Sequence, residues 1–140
     1  MRMDRSQPVR GMPWGEPISV APTASVRQVA GILAHLRVGA ALVRPGGDGD
    51  GGADAGIVAE RDIVGAVAAG LDLDRTYARD IMSADLVSVD VAAALDEVVE
   101  AMARHDVRHI AITDGDDIVG VLSARDVLHR LGDGDGITDG

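Results

Sequence analysis

Hydrophobic positions fall into the same pattern twice along the chain. Residues 18–20 (Ile-Ser-Val) and 87–89 (Val-Ser-Val) alternate apolar and polar, as short strands do. Val26, Val29, Leu33 and Leu36 then recur at helical spacing, as do Leu95, Val98, Val99 and Met102. Thr23 or Ser25 is placed to cap the first of these helices. Residues 40–43 and 110–112 are short apolar runs suited to buried strands, each followed by a Gly/Asp-rich turn. Residues 56–58 and 118–122 read as their pairing strands. Closing helices are expected over 60–69 and 124–131, ending at Gly70 and Gly132 where a C-cap glycine belongs.

The two patterns are copies. Residues 18–43 slide onto 87–112 without a gap, 69 residues apart, with Ser19-Val20 on Ser88-Val89, Leu33 on Met102 and Val38 on Val107. Residues 56–64 then fall on 120–128 at a spacing of 64. The five-residue difference lies in the connector 44–55, which carries Gly-Gly-Asp-Gly-Asp-Gly-Gly and reads as a flexible hairpin. Two ordered matches that preserve apolar positions predict an α+β fold of two βαββα repeats. About fifty residues without a disulfide or metal bury too little surface to stand alone. The expected solution is two sheets face to face about a pseudo-twofold axis, with two equivalent clefts between the halves. The expected division is an N-terminal extension 1–16, repeat one 17–70, a linker 71–86 with a short helix around 77–82, repeat two 87–131, and a flexible Gly/Asp tail 132–140.

Composition narrows the function. Hydrophobic residues are 46% of the chain but aromatic residues only 1%, Trp14 and Tyr77, so the core must be aliphatic. A net charge of −10 repels phosphate backbones, and aromatic stacking platforms are missing, which argues against nucleic-acid binding. No stretch of about 18 apolar residues is present, so no membrane span is expected, and residues 1–14 lack the apolar core of a signal peptide. The absence of cysteine fits a reducing cytoplasm.

Candidate chemistry gathers in the second copy. Asp126 falls in the first turn of the closing helix, where its carboxylate can accept two hydrogen bonds from a vicinal diol such as ribose. Ser123 stands at the helix start, where free N–H groups favour a phosphate, and Gly120 allows close backbone approach. The same Ser-x-x-Asp spacing is close to a capping box, which would employ both side chains internally. The first copy has Ala59 in place of Ser123 but keeps Arg61-Asp62, matching Arg125-Asp126. Arg108-His109 precedes the strand at 110–112, whereas the first copy has Arg37 nearby and Gly39-Ala40 at the matched positions. Arg61 and Arg125 can face phosphates or solvent, and His109 titrates near neutrality when unperturbed. No catalytic or metal constellation is visible. The four histidines lack cysteine partners, Asp48-Gly49-Asp50-Gly51 lacks the glutamate and glycine of an EF-hand (Ala59 and Ala53 stand there), and no Gly-Lys-Ser/Thr marks a P-loop.

Gly-Ile-Val-Ala-Glu-Arg-Asp (56–62), Ala-Arg-Asp-Ile-Met-Ser (78–83), Val-Arg-His-Ile-Ala-Ile (107–112) and Gly-Val-Leu-Ser-Ala-Arg-Asp (120–126), in this order, resemble a tandem pair of CBS domains, the regulatory module named after cystathionine β-synthase. The resemblance covers about 17–131. It implies a regulator and not an enzyme, needing no cofactor, with an adenosine-containing regulatory ligand such as AMP, ADP, ATP, an NAD-type dinucleotide or S-adenosylmethionine. It also implies a homodimer and an unidentified regulated partner. The family's ribose motif, Gly, two apolar residues, Ser or Thr, two residues, then Asp, is met in full by Gly120, Ser123 and Asp126, and the family often places phosphate contacts at the positions of Arg108 and His109. Residues near Ile18 and Val87 are the implied walls for the base.

Overall fold

The structure is a computed structural model and describes residues 8–11, 14, 17–44, 56–84 and 86–135. The hairpin residues 45–55, with the calcium-like Asp/Gly run, and the tail residues 136–140 lie outside the described residues. The chain divides into two compact units, one of residues 17–86 and one of 87–140 together with the 1–16 segment.

The first unit contains β1 (Ser19–Val20), α1 (Val26–Leu36), β2 (Ala40–Val43), β3 (Gly56–Ala59), α2 (Glu60–Ala68) and the single-turn α3 (Ala78–Ile81). β1 runs parallel to β2, and β2 antiparallel to β3. Val26, Val29 and Leu33 form the buried stripe of α1. Ser25, not Thr23, caps it. The Gln28 N–H donates to Ser25 Oγ (3.1 Å) and the Ser25 N–H donates to Gln28 Oε1 (2.9 Å), a complete capping box. Most of this stripe meets Ala41, Val43, Val58 and Ala78 in one cluster. α2 ends as the sequence predicts. Gly70 adopts φ +73°, its N–H donates to the Val67 carbonyl (3.0 Å), and the Leu71 N–H donates to that of Ala66 (3.1 Å). Those are the two bonds of a Schellman motif.

The second unit repeats the plan with β4 (Ser88–Asp90), α4 (Leu95–His105), β5 (His109–Asp114), β6 (Asp117–Ser123) and α5 (Ala124–Asp135). Strand order and directions match those of the first sheet. Leu95, Val98, Ile110, Ile112, Leu122 and Val127 form its core, and Val9 is buried among them. One expectation fails here. α5 continues through Gly132 to Asp135. A glycine ends a helix when it takes the left-handed conformation, as Gly70 does, and Gly132 keeps helical geometry instead.

The two repeats exchange their opening segments, each within one unit. The Val9 N–H donates to the Ala93 carbonyl (2.7 Å) and the Arg10 N–H to that of Val91 (3.0 Å). Sixty-nine residues on, the Ala78 N–H donates to the Ala24 carbonyl (2.8 Å) and the Arg79 N–H to that of Pro22 (3.0 Å). Matched bridges join Pro8 to Ala94 and Tyr77 to Ser25. The repeat therefore reaches back to residues 8 and 77. The segment that precedes repeat one docks on repeat two, and the segment that precedes repeat two docks on repeat one.

Candidate ligand-binding site

The strand ladder brings most of the second-copy candidates together. His109 opens β5 directly opposite Ser123, the last residue of β6. Cross-strand partners project from the same face of a sheet. The Ala124 N–H donates to the Arg108 carbonyl (2.7 Å), which ties the basic pair to the first turn of α5. Arg108, His109, Ser123, Arg125 and Asp126 thus surround one helix start. Ser123, Asp126 and His109 are half-buried, and Arg108 and Arg125 are exposed.

The capping box is formed. The Asp126 N–H donates to Ser123 Oγ (3.0 Å), and the Ser123 N–H donates to Asp126 Oδ2 (3.1 Å). This does not exhaust either side chain. Among the described residues Asp126 Oδ1 has no hydrogen-bond partner, and a carboxylate oxygen has two lone pairs. The Ser123 hydroxyl accepts in this box and keeps its own proton to donate. Capping and ligand contact are therefore compatible, with one edge of Asp126 holding the helix and the other free to accept.

Gly120 does permit a close approach, and the group that approaches it is Trp14. A Cβ there would overlap the indole of Trp14, so its bare backbone admits the exchanged N-terminal segment. Gly56 is its counterpart: a Cβ there would lie 2.7 Å from Met82 Sδ and 2.8 Å from the Ser83 carbonyl oxygen. Trp14 and Ser83 are themselves 69 residues apart.

The first copy is a thinner version. Asp62 Oδ2 accepts from the Ala59 N–H (2.8 Å), but Ala59 has no hydroxyl to complete the box. Ala40 stands opposite Ala59, and the Glu60 N–H donates to the Gly39 carbonyl (3.0 Å), so small side chains occupy the places of His109, Ser123 and Arg108. Arg37 does not replace Arg108. It ends α1 in the left-handed conformation (φ 58°), the position that Asp106 (φ 53°) holds at the end of α4. Ile18 and Val87 are half-buried against their own clusters. Their carbonyls each accept a strand-pairing bond, from the Leu42 N–H (2.8 Å) and the Ala111 N–H (3.0 Å).

Sequence reasoning missed Trp14 and the Met82-Ser83 pair, because the matched segments share few side chains. It also missed an open groove of about 600 Å³ in the first unit, lined by residues including Ser19, Gln28, Ile32 and His35. None of the eleven candidate residues lines it. Among the described residues no cluster of three His, Asp or Glu could hold a metal ion, and no helix is long and apolar enough to cross a membrane.

Comparison with known proteins places this geometry. The family model for the CBS domain matches residues 9–69 and 78–133, the two repeats with their exchanged opening segments. The CBS domain-containing protein YhcV of Bacillus subtilis is 28% identical over 78% of this chain and 74% of its own. A conserved protein from Pyrococcus horikoshii superposes with a TM-score of 0.81 at 27% identity, covering 91% of this chain and 94% of the other. A CBS domain protein from Pyrobaculum aerophilum, solved in complex with AMP, superposes with a TM-score of 0.75 at 33% identity, covering 90% and 98%.

Proposed function

The chain belongs to the CBS domain family, and from that premise we propose that it is a regulatory module, not an enzyme, that senses an adenosine-containing nucleotide of the AMP, ADP, ATP or NAD type at the start of α5. The observation that carries the reading is the convergence of Arg108 and His109 with Ser123 and Asp126 at one helix N-terminus. The AMP complex of the Pyrobaculum protein supports the ligand class.

Each group has a role that its chemistry suits. Asp126 Oδ1 accepts from the ribose hydroxyls while Oδ2 keeps the helix capped. The Ser123 hydroxyl, Arg108, His109 and Arg125 supply donors and positive charge for phosphate, which an acidic protein must provide locally. Ile18 and Val87 border the base. Asp62 and Arg61 offer the same carboxylate and guanidinium in the first copy, without the hydroxyl or the basic pair, so that site is the weaker one. The regulator acts in the cytoplasm as a homodimer. Exposed Val64 and Leu128, 64 residues apart and at matched places on α2 and α5, support association through the helices.

A second reading has its own observation. Every member of the Gly-Ser-Asp motif already serves the fold, Gly120 by admitting Trp14 and Ser123 and Asp126 by capping α5. A CBS pair that acts only as an interaction module needs nothing more from them. Thermal-shift screening against AMP, ADP, ATP, NADH and S-adenosylmethionine separates the two. The nucleotide reading predicts saturable stabilisation by at least one, lost in Asp126→Ala. Silence from all five at millimolar concentration favours the interaction module.

A further inference from the structure

Arg44 follows β2 in the first unit. Its backbone N–H donates to the Val20 carbonyl (3.1 Å), which holds it beside the end of β1. Its side chain carries an anomaly. Nε and Nη2 are both buried, although the residue as a whole is half-buried, and among the described residues neither has a hydrogen-bond partner. Leaving buried guanidinium donors unsatisfied is costly, because water no longer solvates them and no acceptor replaces it. The choice of atoms is informative. Nε–H and an Nη2–H form one edge of the guanidinium fork. That edge presents two parallel donors at the spacing of two oxygens of one carboxylate or phosphate.

The matched residue of the second repeat is Thr113, 69 positions on. It is self-sufficient, since its Oγ1 donates to the Val89 carbonyl (3.3 Å). The feature therefore belongs to the first repeat alone. It also lies at the opposite end of β2 from Gly39 and Ala40, which match Arg108 and His109.

We propose that the Nε/Nη2 edge of Arg44 is a bidentate oxyanion site, built from none of the residues at the start of α5, with a phosphate group as its ligand. The fork edge gives two charge-assisted hydrogen bonds to one phosphate, and the anion supplies the acceptors that these two buried donors lack among the described residues. This proposal does not depend on the nucleotide reading, since it involves none of the α5 residues.

Calorimetric titration of the full chain with inorganic phosphate, at constant ionic strength, tests it. The expected result is saturable binding of one phosphate per chain that disappears in Arg44→Met. In Arg44→Lys, which keeps the charge but has no fork, affinity falls about tenfold. A second readout covers the chance that Arg44→Met folds poorly. In chloride alone this variant should melt at or above the wild-type temperature, because it removes two buried unsatisfied donors without removing a partner. Absence of saturable binding, or binding unchanged in both variants (an adventitious ion only), overturns the proposal. So does an Arg44→Met chain that melts lower in chloride while the wild type ignores phosphate, which would mean that a carboxylate of the chain itself occupies the fork.

Discussion

Gly120 and Gly56 hold matched positions, and each is bare because a neighbour occupies the space where its Cβ would stand. Gly120→Ala should cost about 1–3 kcal/mol through overpacking against Trp14. Trp14 is the sole tryptophan, so its emission should shift in the same variant, and urea unfolding followed by fluorescence reads both effects. Gly31→Ala is the contrast. It sits exposed in α1 with open space around its Cβ position, and should stabilise by about 0.5–1 kcal/mol. The helix starts give a second pair. Ser123→Ala removes a cap in use and should cost about 1 kcal/mol, whereas Ala59→Ser adds the missing half of a box whose Asp62 half exists, and should gain up to about 1 kcal/mol. At this scale the sequence was ambiguous for a physical reason. A Ser-x-x-Asp spacing suits capping and ligand contact alike, and only the structure shows that Asp126 caps through Oδ2, with Oδ1 unpartnered among the described residues.

The elements were legible where periodicity was strong. The stripe Val26, Val29, Leu33 and the run Ala40–Val43 lie where the pattern put them, and Gly70 ends α2 in the expected conformation. Gly132 misled because a glycine marks a helix end only when the chain turns left-handed there, and local sequence does not decide that. The exchanged segments stayed hidden for another reason. Pro8-Val9 and Tyr77-Ala78 make the same backbone bonds with different side chains, so hydrophobic matching finds nothing to align. Val9 is fully buried in the second-unit core. Removal of residues 1–14 should therefore open the second unit and spare the first. Hydrogen exchange should show protection lost over α4 and β6 and retained over α1 and β2. Uniform loss across both units would mean that the N-terminal segment has no particular attachment to repeat two.

For the whole molecule, duplication supplied two frames, and the side chains placed on them have diverged. The second frame carries the hydroxyl, the basic pair and the complete capping box, and the first carries Arg44 and a half-box. That inequality was readable from Ala59 and Gly39-Ala40 in the sequence, but the adjacency of Arg108 to α5 required the β5–β6 register. The cluster at the start of α5 is proposed as the adenosine-nucleotide site. Calorimetric titration with AMP tests it most directly, comparing the wild-type chain with Arg108→Ala and Asp126→Asn. Arg108 is exposed and its contribution to the fold is through its backbone carbonyl, so its replacement should leave stability unchanged. Asn retains an oxygen with which to cap. Saturable binding to the wild type is expected, with about tenfold or greater weakening in each variant. Saturable AMP binding that neither variant alters, or no heat of binding at millimolar AMP, would contradict it.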